Sequence, residues 1–176
     1  MGITKTGISP DQLLFYCRPG FEDDLSGELV FHAERLGWRG HVNSLAQQGV
    51  VRFVVDEARP ANVLHRELRF DELIFARQSL VALPVLRLER DNRLSGIVTQ
   101  VVDSGWSFEA IWHETPDTNE GKALAGLIKA LTRPLESLLR KRGALRRKAG
   151  GRRLHLLWTA GDSVQLGMSF AGNRSE

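Results

Sequence analysis

Apolar and polar positions divide the chain into short segments of alternating type. Residues 12–17 form an apolar run closed by Arg18-Pro19-Gly20, which predicts a buried strand ending in a turn. A helix is expected next, with Glu22, Asp23 and Asp24 at its positive end. Leu25, Leu29, Ala33 and Leu36 make its inner face, and Gly37 stands at its cap. Residues 42–45 and 50–55, separated by Gln47-Gln48-Gly49, predict a hairpin, and Pro60 suits the first turn of a short helix. The first 70 residues thus read β-α-β-β-α, the opening of a ferredoxin-like arrangement.

Residues 73–88 are strand-like, interrupted by Pro84. Leu94, Ile97, Val98, Val101 and Val102 recur at helical spacing, between Asn92 as N-cap and Gly105. Trp106, Phe108, Ala110 and Trp112 alternate as in a half-buried strand. Leu124, Leu127, Ile128, Leu131, Leu135, Leu138 and Leu139 then form the longest helical stripe, with Asp117 and Glu120 spaced as a capping box. Pro134 falls inside this stripe, which predicts a kink or a break into two helices. Residues 154–159 and 164–170 flank Ala160-Gly161-Asp162-Ser163, a second hairpin signal. The mixture predicts an α+β protein, divided here into a portion spanning residues 1–72 and another spanning 73–176.

Composition adds little until charge is mapped. No apolar run approaches the roughly 20 residues that cross a bilayer. The first eleven residues lack a signal-peptide pattern, and Cys17 is the only cysteine, so a reducing cytoplasm is expected. The net charge is only +3, yet Lys129, Arg133, Arg140, Lys141, Arg142, Arg146, Arg147, Lys148, Arg152 and Arg153 crowd one segment beside a single acid, Glu136. That segment carries +9 and the remainder −6. Such a contrast points to a polyanion-binding face, because cations that neutralise phosphates release condensed counterions. Gly150-Gly151 would let flexible cations follow an irregular backbone. A solvated helix face with an idle loop is the plain alternative.

Glu114, Asp117 and Glu120 raise a rival reading, a small metal-dependent hydrolase, although helix capping explains the same acids. The five histidines are scattered, and a buried Cys17 reads as core. No glycine-rich dinucleotide or phosphate loop and no nucleophile elbow occurs, so no cofactor or metal site is expected in this chain.

Several segments together resemble one family. They are Cys17-Arg18-Pro19-Gly20-Phe21-Glu22, then Arg66-Glu67-Leu68-Arg69-Phe70 leading into Leu73-Ile74-Phe75-Ala76-Arg77-Gln78. Asp117-Thr118-Asn119-Glu120-Gly121-Lys122, Pro134-Leu135 and the closing Gly167-Met168-Ser169-Phe170 with Asn173 and Ser175 follow. In order and spacing they resemble the N-terminal region of the RlmM family of bacterial methyltransferases, which act on a cytidine ribose 2′-hydroxyl in 23S ribosomal RNA. The resemblance implies a ferredoxin-like portion packed with a THUMP-type RNA-binding domain, ahead of a methyltransferase domain that uses S-adenosylmethionine. That catalytic domain has no counterpart in these residues, so the chain is expected to be a fragment. It would grip ribosomal RNA before subunit assembly, as a monomer. The basic segment would make the contacts, a role that for its loop, outside the matching motifs, rests on charge alone, and Arg77, within a matching motif, would join them. A stand-alone module binding RNA or an acidic partner is the alternative.

Overall fold

β1 (Gln12–Tyr16) buries Leu13 and Phe15 on one side and Leu14 on the other, as a central strand must. In the computed structural model, which describes residues 10–56 and 58–170, β1 lies between β3 (Val50–Val55) and β4 (Gln78–Ala82), antiparallel to both. β2 (Gly40–Leu45) pairs with β3 through the expected hairpin, whose turn holds Gln47 at φ +59° and Gly49 at φ +67°. α1 (Glu22–Arg35) and α2 (Ala61–Glu67) cover one face of these four strands. The order β2-β3-β1-β4 is that of a ferredoxin-like sheet. β4 completes it, so this sheet reaches past the division drawn at residue 72. Leu36 does not join the inner face of α1. The helix ends at Arg35, Gly37 turns the chain at φ +73°, and Leu36 is left 41% exposed.

Strand structure in the 73–88 run is confined to β4 and the two-residue β5 (Leu86–Arg87). The preceding stretch instead crosses α1, where the Glu28 carboxylate accepts from the amides of Ile74 (2.6 Å) and Phe75 (3.2 Å). α3 (Arg93–Ser104) fills the predicted helix and stops at Gly105, φ +69°. Trp106 and Phe108 lie ahead of β6 (Ala110–Glu114) rather than within it, since Phe108 bridges to Leu145. Thr118, not Asp117, caps α4 (Asn119–Ala123), its hydroxyl accepting from the Gly121 amide. α5 (Ala125–Lys141) then runs unbroken through Pro134, so the expected break at proline does not occur. The interruption falls at Leu124, between α4 and α5. Leu135 and Leu139, which follow the proline, are both fully buried and hold that turn against the sheet.

β7 (Arg153–Ala160) and β8 (Ser163–Ser169) form the closing hairpin. β8 pairs with β4, which fuses both portions into one sheet of order β2-β3-β1-β4-β8-β7-β6, with β5 beside β8 and β6 parallel to β7. α1 and α2 share the face of Leu13, Phe15 and Val81. α3 and α5 share the same face further along, over Leu154, Leu156, Trp158 and Leu166. The opposite face is lined by Leu14, Val50, Leu80, Ala82 and Leu157. It is concave, because twist brings distant strands together across it. The Tyr16 hydroxyl of β1 donates to Glu114 of β6, although three strands separate them in the sheet. The fold is therefore α+β, a ferredoxin-like portion packed with a THUMP-type portion, as the pattern and the resemblance implied.

Candidate nucleic-acid interface

Strand directions decide which cations gather. β4 is antiparallel to β8 and β8 to β7, so β4, β7 and the parallel β6 all start at the same end of the sheet. Arg77 precedes β4, Arg152 and Arg153 open β7, and β1 finishes at that end with Arg18 just beyond it. Arg77 is thus carried to the sheet end where the basic loop sits, its own amide donating to the Tyr16 carbonyl (2.8 Å). Arg18 is exposed at this end too, and it lies outside any charge run in the sequence.

The connection from α5 to β7 (residues 142–152) is anchored rather than flexible. The Glu109 carboxylate accepts from the amides of Ala149 (2.7 Å) and Gly151 (3.2 Å). Arg146 donates its amide to the Phe108 carbonyl, and the Phe108 amide donates to the Ala144 carbonyl. Gly150 and Gly151, at φ +67° and +71°, allow the doubled turn. The amides on Glu109 hold its carboxyl below the usual value of 4.5, so the clamp is charged at neutral pH.

The ten expected cations fall into two sets. Arg152 donates to the Ala149 carbonyl and the Ser107 hydroxyl, Arg146 to the Gly143 carbonyl, and Arg153 lies over the Trp112 ring. These three build the loop. Lys129, Arg133, Arg140, Lys141, Arg142, Arg147 and Lys148 lie on α5 and the loop, and among the described residues none pairs with a carboxylate. Lys129, Arg133 and Arg140 fall within about 40° of one another around α5. They form a stripe well away from the buried Leu135 and Leu139. Glu136 lies on the same side of α5, three residues after Arg133 and four before Arg140, but no ion pair with either forms, and unpaired cations retain their attraction for an external anion.

The three carboxylates of the metal reading are turned to different partners. Glu114 accepts from Tyr16 and sits 2.9 Å from His155 Nδ1, and Asp117 pairs with Lys122 at 3.1 Å. Glu120 is exposed in the first turn of α4. No cluster of three such ligands that could hold a metal occurs among the described residues. Burial, reinforced by Glu22, pushes the Cys17 thiol up to about 11, the opposite of what a nucleophile needs.

Sequence reasoning missed Trp112, whose neighbours come from elsewhere in the chain. Its ring takes Arg153 on its face at 5.1 Å and His155 edge-on at 5.4 Å. Alternation within residues 106–112 marked it only as a strand position.

Fold and site define a class: an α+β module on one continuous sheet, with unpaired cations beside an anchored loop at one end. The chain belongs to the RlmM family, since residues 11–80 match the RlmM ferredoxin-like domain and residues 92–170 the N-terminal domain of Ribosomal RNA large subunit methyltransferase M. Proteins of that name from Chromohalobacter salexigens and Marinomonas are 64% identical over 96% of the chain and 38% identical over 93%. The chain spans about half the length of each, 48% and 47%. The fold is shared with TrmN from Thermus thermophilus, at a TM-score of 0.58 and 20% identity, over 93% of this chain and 46% of that one. A predicted N6-adenine-specific DNA methylase from Listeria monocytogenes gives a TM-score of 0.54 at 15% identity, over 93% and 41%.

Among the described residues one turn alone has the strand–glycine–helix form of a cofactor loop, and it does not fit the S-adenosylmethionine that the resemblance implies. The strand–glycine–helix turn between β1 and α1 is closed from within, where Glu22 accepts from the amides of Gly20 (2.9 Å) and Gly49 (2.7 Å).

Proposed function

We propose that the chain is the RNA-gripping N-terminal portion of an S-adenosylmethionine-dependent methyltransferase of the cytidine ribose 2′-hydroxyl in 23S ribosomal RNA. It works in the cytoplasm, as a monomer, on RNA not yet assembled into the subunit. It positions the RNA for a catalytic domain outside these 176 residues, which also holds the cofactor. The observation that carries this reading is the set of seven cations on α5 and the following loop that have no acidic partner among the described residues, on a body otherwise negative. Arg and Lys at these positions fix register through phosphates, and the shape of the RNA supplies selectivity. Arg77 and Arg18 extend the track across the sheet end.

The test reverses Lys129, Arg133, Arg140, Lys141, Arg147 and Lys148 to glutamate. Arg146, Arg152 and Arg153 stay unchanged, because they support the loop. In filter binding of a 23S fragment over a salt series, the variant should bind at least about a hundredfold more weakly at low salt. Its log–log slope should fall by about 0.7 for each single-strand phosphate it no longer neutralises. Equal affinity of variant and parent at low salt refutes the reading.

A further inference from the structure

Seven large apolar side chains are exposed among the described residues, and the two most exposed stand together. Ile74, 81% exposed, projects from the crossing that leads to β4, and Phe31, 57% exposed, lies on α1. Phe31 is two residues from both Leu29 and Ala33, roughly 160° around the helix from either, so the core beneath α1 cannot cover it. Glu28, its neighbour on the helix surface three residues earlier, accepts from the Ile74 and Phe75 amides. Phe75 in turn stacks on Phe21, 39% exposed, with 5.8 Å between ring centroids. None of the other four exceeds 42%. Apolar side chains scattered over a surface mean little, whereas a contiguous group marks a place of contact.

This group is held in place. The two bonds to Glu28 fix the backbone that projects Ile74, and Arg35 lies 5.6 Å from the centre of the Phe31 ring. Asp24 and Gly27 share the outward side of α1 with Phe31, and a Cβ on Gly27 would meet nothing within 4 Å. A glycine inside a helix costs about 0.5–1 kcal/mol against alanine. No contact within this fold requires that one, and it leaves a flat place beside a projecting ring.

The position of Phe170 points to what covers this face. Phe170, just past β8, packs on His65 of α2 at 6.0 Å, and His65 Nε2 lies 3.0 Å from the Ser79 hydroxyl of β4. Ile74 precedes Ser79 by five residues, at most about 18 Å of chain. Residue 170 therefore stands on the side of α1 and α2, within reach of the exposed group. The matched domain is the N-terminal one of relatives in which the chain spans 48% and 47% of the length, so about half of each lies outside the match. A few side chains fall short of the roughly 800 Å² that each of two free partners buries. A domain tethered nearby meets them at an effective concentration in the millimolar range, where a small contact holds. We propose that Phe21, Phe31 and Ile74 form the docking face for the catalytic domain of the same protein. The proposal rests on the reading above, in which that domain lies outside these residues. It adds where the domain sits, against α1 and beside the sheet end that carries Arg18.

The experiment compares the full-length protein with the 176-residue chain by hydroxyl-radical footprinting, without RNA. Labelling of Phe31 and Ile74 should fall by about threefold or more in the full-length protein, as for side chains at the centre of an interface. Val85 and Val102, exposed in the other portion, should label equally in both. Equal labelling of Phe31 and Ile74 in the two proteins overturns the docking face. So does protection already present in the 176-residue chain and lost on dilution, which would assign the face to a second copy. Phe31→Ser combined with Ile74→Ser, in the full-length protein, should return Phe21 to its labelling in the chain alone, and a Phe21 still protected overturns the proposal. Both substitutions are at exposed positions, and the first comparison stands without them. A full-length protein with no folded domain beyond these residues removes the reading on which the proposal rests. An unprotected face beside such a domain removes the docking alone.

Discussion

At the scale of single residues, carboxylates in this protein do the work of capping loops. Glu22 ties Gly20 to Gly49, Glu28 ties Ile74 to Phe75, and Glu109 ties Ala149 to Gly151. Glu22 is the most enclosed, at 4% exposure. Burial pushes its pKa up, but the amides of Gly49, Gly20 and Gln48 outweigh this and hold it below 4.5. A depressed carboxyl stabilises the fold above the unfolded value and loses that contribution as pH falls through the folded one. Glu22→Ala, which leaves the buried Gly49 amide without a partner, should cost about 1–3 kcal/mol in urea unfolding at pH 7. The deficit should shrink as pH drops below about 4; a deficit constant from pH 7 to 3 would contradict the clamp. His113 titrates higher. Burial holds it below 6.5 against the opposing pull of Glu136, and its Nδ1 accepts the Trp158 indole N–H at 3.1 Å. It is therefore neutral in the fold, and its share of stability, present above 6.5, is lost as pH falls. Thermal melts of the parent should decline from about pH 7 to about pH 5.5, and His113→Gln should flatten that decline. An identical pH dependence in both proteins would exclude His113 as the cause.

Among the elements, legibility followed how local each determinant is. β1, α1, α3 and both hairpins depend on neighbouring residues, on period and on turn chemistry, and the sequence predicts them nearly to their ends. The 73–88 run misleads because its apolar residues serve a crossing over α1, a contact with Glu28 some 46 residues away. Alternation from Trp106 to Trp112 spans two structures, a loop bridged to Leu145 and then β6. Pro134 fails to break α5 because the burial of Leu135 and Leu139 outweighs one missing amide. The basic segment was visible as composition, but its division into loop-building and unpaired cations was not. That division is set by Glu109, Ser107 and Trp112 on another element. Glu109→Ala should therefore raise amide exchange across residues 144–152 and weaken RNA binding, while every cation is retained. Exchange in that loop matching the parent would show the clamp to be idle.

The whole molecule is one sheet shared by two portions, and its concave face carries the contacts that make the sharing cooperative. Only Val81 and Ala82 of β4 register with β8, a narrow seam in the backbone. Side chains reinforce it. Arg52 of β3, 7% exposed, donates Nε to Gln165 of β8 at 2.5 Å, and Gln165 Nε2 donates to Gln12 of β1 (2.9 Å) and to the Leu83 carbonyl (3.0 Å). Depriving a buried guanidinium of such a partner costs the fold about 1.5–3 kcal/mol. The bond also spans the ferredoxin-like and THUMP-type portions, so removing it weakens their union rather than either core. Gln165→Ala should lower the melting temperature by several degrees. In the parent, Trp38 of the first portion and Trp158 of the second should report one shared transition, followed in variants that keep one tryptophan at a time. In Gln165→Ala the two transitions should separate, with the ferredoxin-like portion holding its own sheet and helices. Two resolved transitions already present in the parent would show that the portions unfold independently. The sheet would then be continuous in geometry only, and Arg77 and Arg18 would have no rigid relation to the basic loop.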